Sequence, residues 1–491
     1  MNTRRTKAIL ASVSLLCMFT CPSPAQPRRD REGRAVREMT QILGRPANRS
    51  VTLSVLAPDG LDVFVEYGTK PGAYKHRTKE DRLSSSKPLE ILVDALRPDT
   101  RYYYRLNHRR GGESSYTWGA EYSFHTQRAP GGTFTFAVQG DSHPERLNRM
   151  YHPDLYVRTL ENVQLDRPDF YIALGDDFSP EHLFNRNILN ADTVAQLYID
   201  QRNFLGLAGR TVPLFLVNGN HEQAAKYLLD GTPNSVPVVT GKARNLYYPL
   251  PAPDRFYAGD AEPVEFVGLP RDYYAWTWGD ALFVTMDPYW HSPVQIDSGL
   301  GGRRGNDDGG RRNRDGWAAT MGDAQYHWLK HTLEQSKAKY KFIFAHHVLG
   351  TGRGAVEMAD LYEWGGRNRN GEWEFDKKRP GWELPVHQLV VKHGVTIFFQ
   401  GHDHLFARQE KDGVVYQEAP NPADTTYSAF NREAYRSGDI FPNSGYLRVT
   451  VSPAHVKVDY VRSYLPKDET PERKNGEVAF SYMTAPRKKA Q

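Results

Sequence analysis

The sequence predicts an all-β sandwich followed by a larger α/β domain, and three observations carry that expectation. Between Ser50 and Thr126, short alternating strands recur between turn residues, the pattern of a sandwich. From Thr133 onward, short apolar strands alternate with segments of helical period, the pattern of a sheet covered by helices. Five of those apolar strands end abruptly in residues able to bind a metal ion.

The sandwich strands follow from their alternation. Val51, Leu53 and Val55 alternate with Thr52 and Ser54, and Val63–Tyr67 leads into a turn at Gly68–Gly72. Leu89–Val93, Thr100–Leu106 and Glu121–Thr126 complete the series. The alternating Tyr and Arg of Thr100–Leu106 read as packing on one face and solvation on the other. Ala129–Gly132, with Pro130 and two glycines, reads as a linker.

In the second region, Phe134–Val138 reads as a strand that becomes buried, followed by a helix with Leu155, Tyr156, Leu160 and Val163 on one face. Phe170–Leu174, Val212–Val217, Leu282–Met286, Tyr340–Ala345 and Val395–Phe399 are further apolar strands. Helices are expected around Tyr326, Leu329 and Leu333, and from about Leu384 to Lys392, where Gly394 ends the pattern. Late strands are expected at 414–416, 446–451 and 456–461. Segments 298–314 and 365–379, rich in Gly and charge, read as surface loops.

The chain has 491 residues, 39% hydrophobic and 25% charged, in the ordinary range of globular proteins. Arg4, Arg5 and Lys7 precede an apolar run from Ala8 to Phe19, and Ser23-Pro24-Ala25 offers small residues for cleavage, so residues 1–25 are expected to be an export signal. Periplasmic or secreted location follows from that expectation. No later run has the apolar length of a membrane span. Removing Arg4, Arg5 and Lys7 takes the formal charge from +5 to +2, which indicates no specific nucleic-acid binding. Both cysteines, Cys17 and Cys21, lie in the expected signal, so any metal must be held by oxygen and nitrogen. Residues 26–45 are expected to be a flexible leader, 46–128 the sandwich, 132–465 the α/β domain and 466–491 a basic, weakly ordered tail.

The five strand ends carry Asp141 with His143, Asp176, Asn220 with His221, His346 with His347, and His402 with His404. In open α/β sheets, ligands bind outside the carboxyl ends of the strands. One such cluster is common by chance. Five in one chain point to a shared site rich in imidazole and carboxylate, with ligands enough for two ions. That chemistry suits Mn, Fe or Zn.

The runs Gln139-Gly140-Asp141-Ser142-His143, Gly175-Asp176, Gly219-Asn220-His221-Glu222, Ala345-His346-His347 and Gly401-His402-Asp403-His404 resemble the five ordered motifs of the calcineurin-like metallophosphoesterases. The resemblance implies a four-layer α/β/β/α core over roughly Thr133–Tyr460. It implies one metal bound by Asp141, His143 and His404, a second by Asn220, His346 and His402, and Asp176 bridging them. It also places Asn220 and His221 beside the substrate phosphate, where a catalytic His221 can stabilise the transition state or protonate the leaving oxygen. The implied reaction is hydrolysis of a phosphate mono- or diester by a metal-bridging hydroxide attacking phosphorus.

Tyr67–Gly72 and Leu96–Tyr104 make the first region similar to the fibronectin type III-like domain of purple acid phosphatases and alkaline phosphatase D-like proteins. Two departures from purple acid phosphatases matter. Those enzymes lack a histidine at the place of His143 and carry a tyrosine three residues after the bridging aspartate, where this chain has Ser179. A purple iron–tyrosinate centre is therefore not expected.

Neighbouring residues have plainer readings. Asp177 and Asp403 are expected to support ligands, His347 to pack against one, and Glu222 to cap a following helix. A different class of function is a non-catalytic cell-envelope binding protein that works through the sandwich. The full set of ligand residues speaks against it.

Overall fold

The computed structural model describes residues 38–85, 87–222, 224–296, 315–348 and 352–487. The expected signal and the 298–314 loop lie outside the described residues. The first region contains strands β1 (Thr40–Gly44), β2 (Val51–Leu56), β3 (Leu61–Gly68), β4 (Leu89–Val93), β5 (Arg101–Arg110) and β6 (Tyr122–His125). Strand β5 pairs antiparallel with β3 over Leu61↔Arg110 to Gly68↔Tyr103, and with β6 on its other side. Val63, Val65, Tyr102, Tyr104 and Leu106 point inward onto Leu53, Val55, Ile91 and Val93 of the β1–β2–β4 sheet, which is the sandwich core.

Strand β1 corrects the expectation of a flexible leader as far as residue 45. It pairs with β2 from Thr40↔Leu56 to Gly44↔Thr52, and Ile42 and Leu43 are buried. Two apolar residues carry no readable period, and their partners lie far along the chain. The outer edge of β1 continues into the α/β region, where Gly44 bridges Leu214 in parallel.

The α/β region is built from two mixed sheets. Its strands are β7 (Phe134–Gln139), β8 (Tyr171–Ala173), β9 (Leu214–Leu216), β10 (Tyr274–Trp278), β11 (Ala281–Thr285), β12 (Tyr340–Phe344), β13 (Ile397–Gln400), β14 (Phe406–Lys411), β15 (Val414–Glu418), β16 (Gly445–Val451), β17 (Val456–Arg462) and β18 (Val478–Thr484). One sheet runs β18-β17-β16-β7-β8-β9-β1-β2-β4, with β7, β8 and β9 parallel. The other contains β10-β11-β12-β13-β15-β14, with β11, β12, β13 and β15 parallel. Strand β18 corrects the expectation of a weakly ordered tail, because it pairs antiparallel with β17.

The sheets face each other across an aromatic core. Phe136 packs edge-on against Phe283 at 5.1 Å, and Phe215 stacks on Trp276 at 4.2 Å. Such pairs add to the burial of their large ring surfaces. Helices α1 (Pro153–Asp166), α3 (Ala191–Gly209) and α4 (Val236–Tyr247) cover the first sheet, and the short α2 (Glu181–Asn185) lies between α1 and α3 in the chain. Helices α5 (Asp323–Gln335) and α6 (Val386–Lys392) cover the second through Tyr326, Leu329, Leu333, Val386 and Leu389. The four expected layers are therefore present. Arg202 of α3 fastens this body to the sandwich: fully buried, it donates to Thr40 Oγ1, Ser54 Oγ, the Ser54 carbonyl and the Tyr247 carbonyl. A guanidinium out of water needs that many acceptors to offset lost hydration.

Candidate metal centre

Parallel strands put their carboxyl ends on one edge, and this brings the five motifs together. Asp141 and His143 follow β7, Asp176 follows β8, Asn220 and His221 follow β9, His346 follows β12, and His402 and His404 follow β13. The first sheet thus supplies three loops and the second sheet two. Apart from His221, all of these residues are at most 4% exposed.

Their atoms converge in two groups. Asp141 Oδ2 lies 3.0 Å from His404 Nε2 and 3.6 Å from His143 Nε2, and those two nitrogens are 3.1 Å apart. Asn220 Oδ1 lies 2.9 Å from His346 Nε2 and 3.0 Å from His402 Nδ1, with the two nitrogens 3.2 Å apart. Asp176 Oδ2 reaches both groups, at 3.5 Å from His143 Nε2 and 3.2 Å from His346 Nε2.

These distances pass a test of fit for cations. Asp141 Oδ2 is buried and makes no hydrogen bond of regular geometry, although three imidazole nitrogens surround it within 3.0–3.8 Å. Ring nitrogens facing each other at about 3.1 Å are the arrangement expected where lone pairs share an ion. Asp141, Asp176, His346 and His402 form one group of mutually close ligand atoms, and Asp141, His143 and His404 form another. The donor set, oxygen and imidazole nitrogen, is that of Mn, Fe or Zn.

The electrostatics agree. Burial opposes ionisation of Asp141, yet His346 and His404 hold its carboxyl well below the usual range. Burial likewise opposes charge on His143 and His346, but the carboxylates around them, Glu145 and Asp141 for the first and Asp176 and Asp141 for the second, raise each to about 10. The pocket therefore favours positive charge at its centre.

The backbone is bent to deliver these side chains. His143, Asp176, His402 and His404 all have positive φ, between 49° and 78°. Non-glycine residues there cost about 1–3 kcal/mol each and gather at functional sites. Two glycines permit close approach. A Cβ on Gly219 would meet Asp176 Oδ1 at 2.1 Å, and one on Gly401 would meet Asp141 Oδ1 at 2.5 Å. Asp141 Oδ1 instead accepts the His402 amide, and Asp176 Oδ1 accepts the His221 amide.

Supporting groups surround the ligands. Glu145 Oε1 is 2.8 Å from His143 Nδ1, and the Leu174 carbonyl is 2.8 Å from His346 Nδ1, contacts that fix ring orientation. Asp177 accepts from Gln139 and Ser142, and burial pushes its carboxyl well up. Asp403 accepts from Arg353, Gly354 and Tyr435. His347 packs between Tyr289 and His402, with Tyr289 Oη 2.6 Å from its Nδ1.

Glu222 corrects its expected role, because the short 3-10 turn that follows at Lys226–Leu228 has Ala225 as its N-cap residue and no side-chain cap. Its carboxylate accepts the amides of Asp176, Asp177, Phe178 and Gly219 and so ties two ligand loops together. Burial and Asp176 raise it to about 7.

His221 stands at the mouth. Its Nε2 is 3.9 Å from Asp176 Oδ2 and 3.2 Å from Arg146 Nη2, and its Nδ1 is 2.9 Å from Glu181 Oε1 at the start of α2. Burial lowers its affinity for a proton, but Asp176 and Glu181 reverse that and raise its pKa. Sequence reasoning missed Glu145, Arg146, Glu181, Tyr289 and Phe430. Glu145 had a usable signal, a carboxylate two residues from an expected ligand; the others meet the site only through folding.

Known proteins fit this geometry. The model of the calcineurin-like phosphoesterase family matches residues 134–406, which include all five motifs. Purple acid phosphatase 21 of Arabidopsis thaliana is 23% identical over 394 residues, covering 77% of this chain and 68% of that one. The solved structure of PhoD aligns with TM-score 0.56 at 15% identity, over 91% of this chain and 88% of that one. Purple acid phosphatase PPD1 from seeds of yellow lupin, Lupinus luteus, aligns with TM-score 0.54 at 14% identity, over 91% and 74%. Both structures share the fold, the N-terminal sandwich included. The chain belongs to the calcineurin-like phosphoesterase family, and is a metallophosphoesterase.

Proposed function

We propose that the protein is an exported phosphatase or phosphodiesterase that hydrolyses small phosphate mono- or diesters at a dinuclear metal centre. The observation that carries this reading is the convergence of two ligand groups on Asp176 Oδ2. On this reading Asp141, His143 and His404 would hold one cation, Asn220, His346 and His402 would hold the other, and Asp176 would serve both. Two such cations, when bound, lower the pKa of water and neutralise charge developing on the phosphoryl oxygens.

The chain's own residues do the rest. Glu181 holds His221 through Nδ1, so that Nε2 faces the mouth of the centre. The raised pKa of His221 suits it to donate a proton to the departing alkoxide. Arg146, beside His221, offers guanidinium donors to a phosphate oxygen. Glu145 and the Leu174 carbonyl, each 2.8 Å from a ring Nδ1, fix the ring orientations of His143 and His346.

Export rests on the sequence of residues 1–25. Among the described residues no helix is long and apolar enough to cross a membrane. Assay of purified protein on aryl phosphates, mono- and diester, with Mn, Fe or Zn in turn, tests the catalytic reading. Metal-dependent turnover that disappears on chelation is expected; turnover indifferent to chelation would sink it.

A further inference from the structure

One aromatic side chain at the centre has no part in holding ligands. Phe430 lies over the ring of His404, with centroids 6.0 Å apart and planes 21° from parallel, yet it remains 49% exposed. One face of the ring is therefore used and the rest is open to solvent.

Its position is anchored. Asn431, next in the chain and at positive φ, donates from Nδ2 to the Asp403 carbonyl at 3.2 Å. Tyr435 donates to Asp403 Oδ2 at 2.7 Å, which also accepts the Gly354 amide at 2.9 Å. Asp403 sits between His402 and His404, so the residue joining two ligands also fixes the segment that carries Phe430. An exposed ring held this way is a preorganised surface rather than a loose side chain.

The described residues beside Asn220 leave little room. Beside Asn220, the hollow lined by Ala225, Tyr227, Tyr289, Val294 and Ile296 measures about 10 Å³, room for a single water. The flank of His404 carries an exposed aromatic surface.

We propose that Phe430 is a specificity-determining residue, a stacking platform that selects phosphoesters carrying a planar aromatic group close to phosphorus. The inference rests on the phosphoester reading above. Offset stacking on a rigid ring predicts a preference of about 3–10-fold over an alkyl group of similar charge.

The test compares binding of phenylphosphonate and methylphosphonate to the metal-loaded protein by calorimetry. Wild type should prefer phenylphosphonate by that factor. Phe430→Ala should abolish the preference mainly by weakening phenylphosphonate, and Phe430→Trp should keep it. Equal preference in wild type and Phe430→Ala, or an equal loss for both phosphonates, would overturn the proposal. Hydrolysis of phenyl phosphate and methyl phosphate is measured alongside. Diphenyl phosphate is included; if wild type shows the Phe430-dependent preference but hydrolyses none of these esters, the platform stands and the proposed hydrolysis of small mono- or diesters falls.

Discussion

The two side-chain groups of the proposed metal centre each bring three residues, with two histidines apiece, and differ in charge and surroundings. The Asp141 half has a carboxylate among its three ligands, a second carboxylate, Glu145, on His143, and an open flank with Phe430, His221 and Arg146. The Asn220 half has a neutral amide in place of the carboxylate and is walled by Tyr289 and His347. An anionic ligand holds a cation more strongly but leaves it less electrophilic. An amide does the reverse. On the proposed reading one half meets solvent and substrate and the other sits against packed protein, with Asp176 between them.

The largest effect should come from breaking the link. Asp176→Asn removes the carboxylate charge that reaches His143 in one half and His346 in the other, and kcat/KM on an aryl phosphate should fall by about 10³-fold or more, since such a centre supplies several kcal/mol. Metal analysis of the same variant should show loss from both halves. Loss from one alone would mean that the halves are independent.

Next comes the open half. His221→Ala should lower kcat by about 10²–10³-fold while metal content stays at its wild-type level. Glu181→Gln removes a negative charge that raises the His221 pKa. An acid must be protonated to act, so activity falls as pH rises through that pKa. The variant's lower pKa should move this basic limb of the pH–rate profile to lower pH. A limb that stays in place would detach Glu181 from catalysis.

Smaller effects should separate the halves. Glu145→Gln should weaken metal binding in the Asp141 half by about 10–100-fold. Tyr289→Phe deletes only the hydroxyl facing His347 and should change activity by less than about tenfold, on the scale of one hydrogen bond. If Tyr289→Phe proved the more damaging of the two, the assignment of open and closed halves would be reversed.

The ligands themselves were legible in the sequence because each sits where an apolar strand stops. Phe134–Val138 and Val395–Phe399 announce buried strands, and chemistry at their carboxyl ends follows from the topology of parallel sheets. The sandwich was equally readable from alternation. Strand β1 was not, because Thr40–Gly44 is stabilised by β2 and by Arg202, 162 residues from Thr40. Strand β18 failed for the same reason: alternation at Val478–Thr484 is faint, and only β17 gives its backbone groups partners. Glu222 was misread because a carboxylate after a ligand suggests a helix start, whereas here four loop amides claim it. Glu181 and Phe430 became visible only in three dimensions, the first 40 residues from His221 and the second 26 from His404.

The account stands most directly on the number of metal ions held around Asp176. Metal analysis of purified, active protein, combined with anomalous diffraction at the metal edges, should give two ions per chain on either side of the Asp176 carboxylate. A fully active protein with a single ion, or with ions away from Asp176, would contradict it.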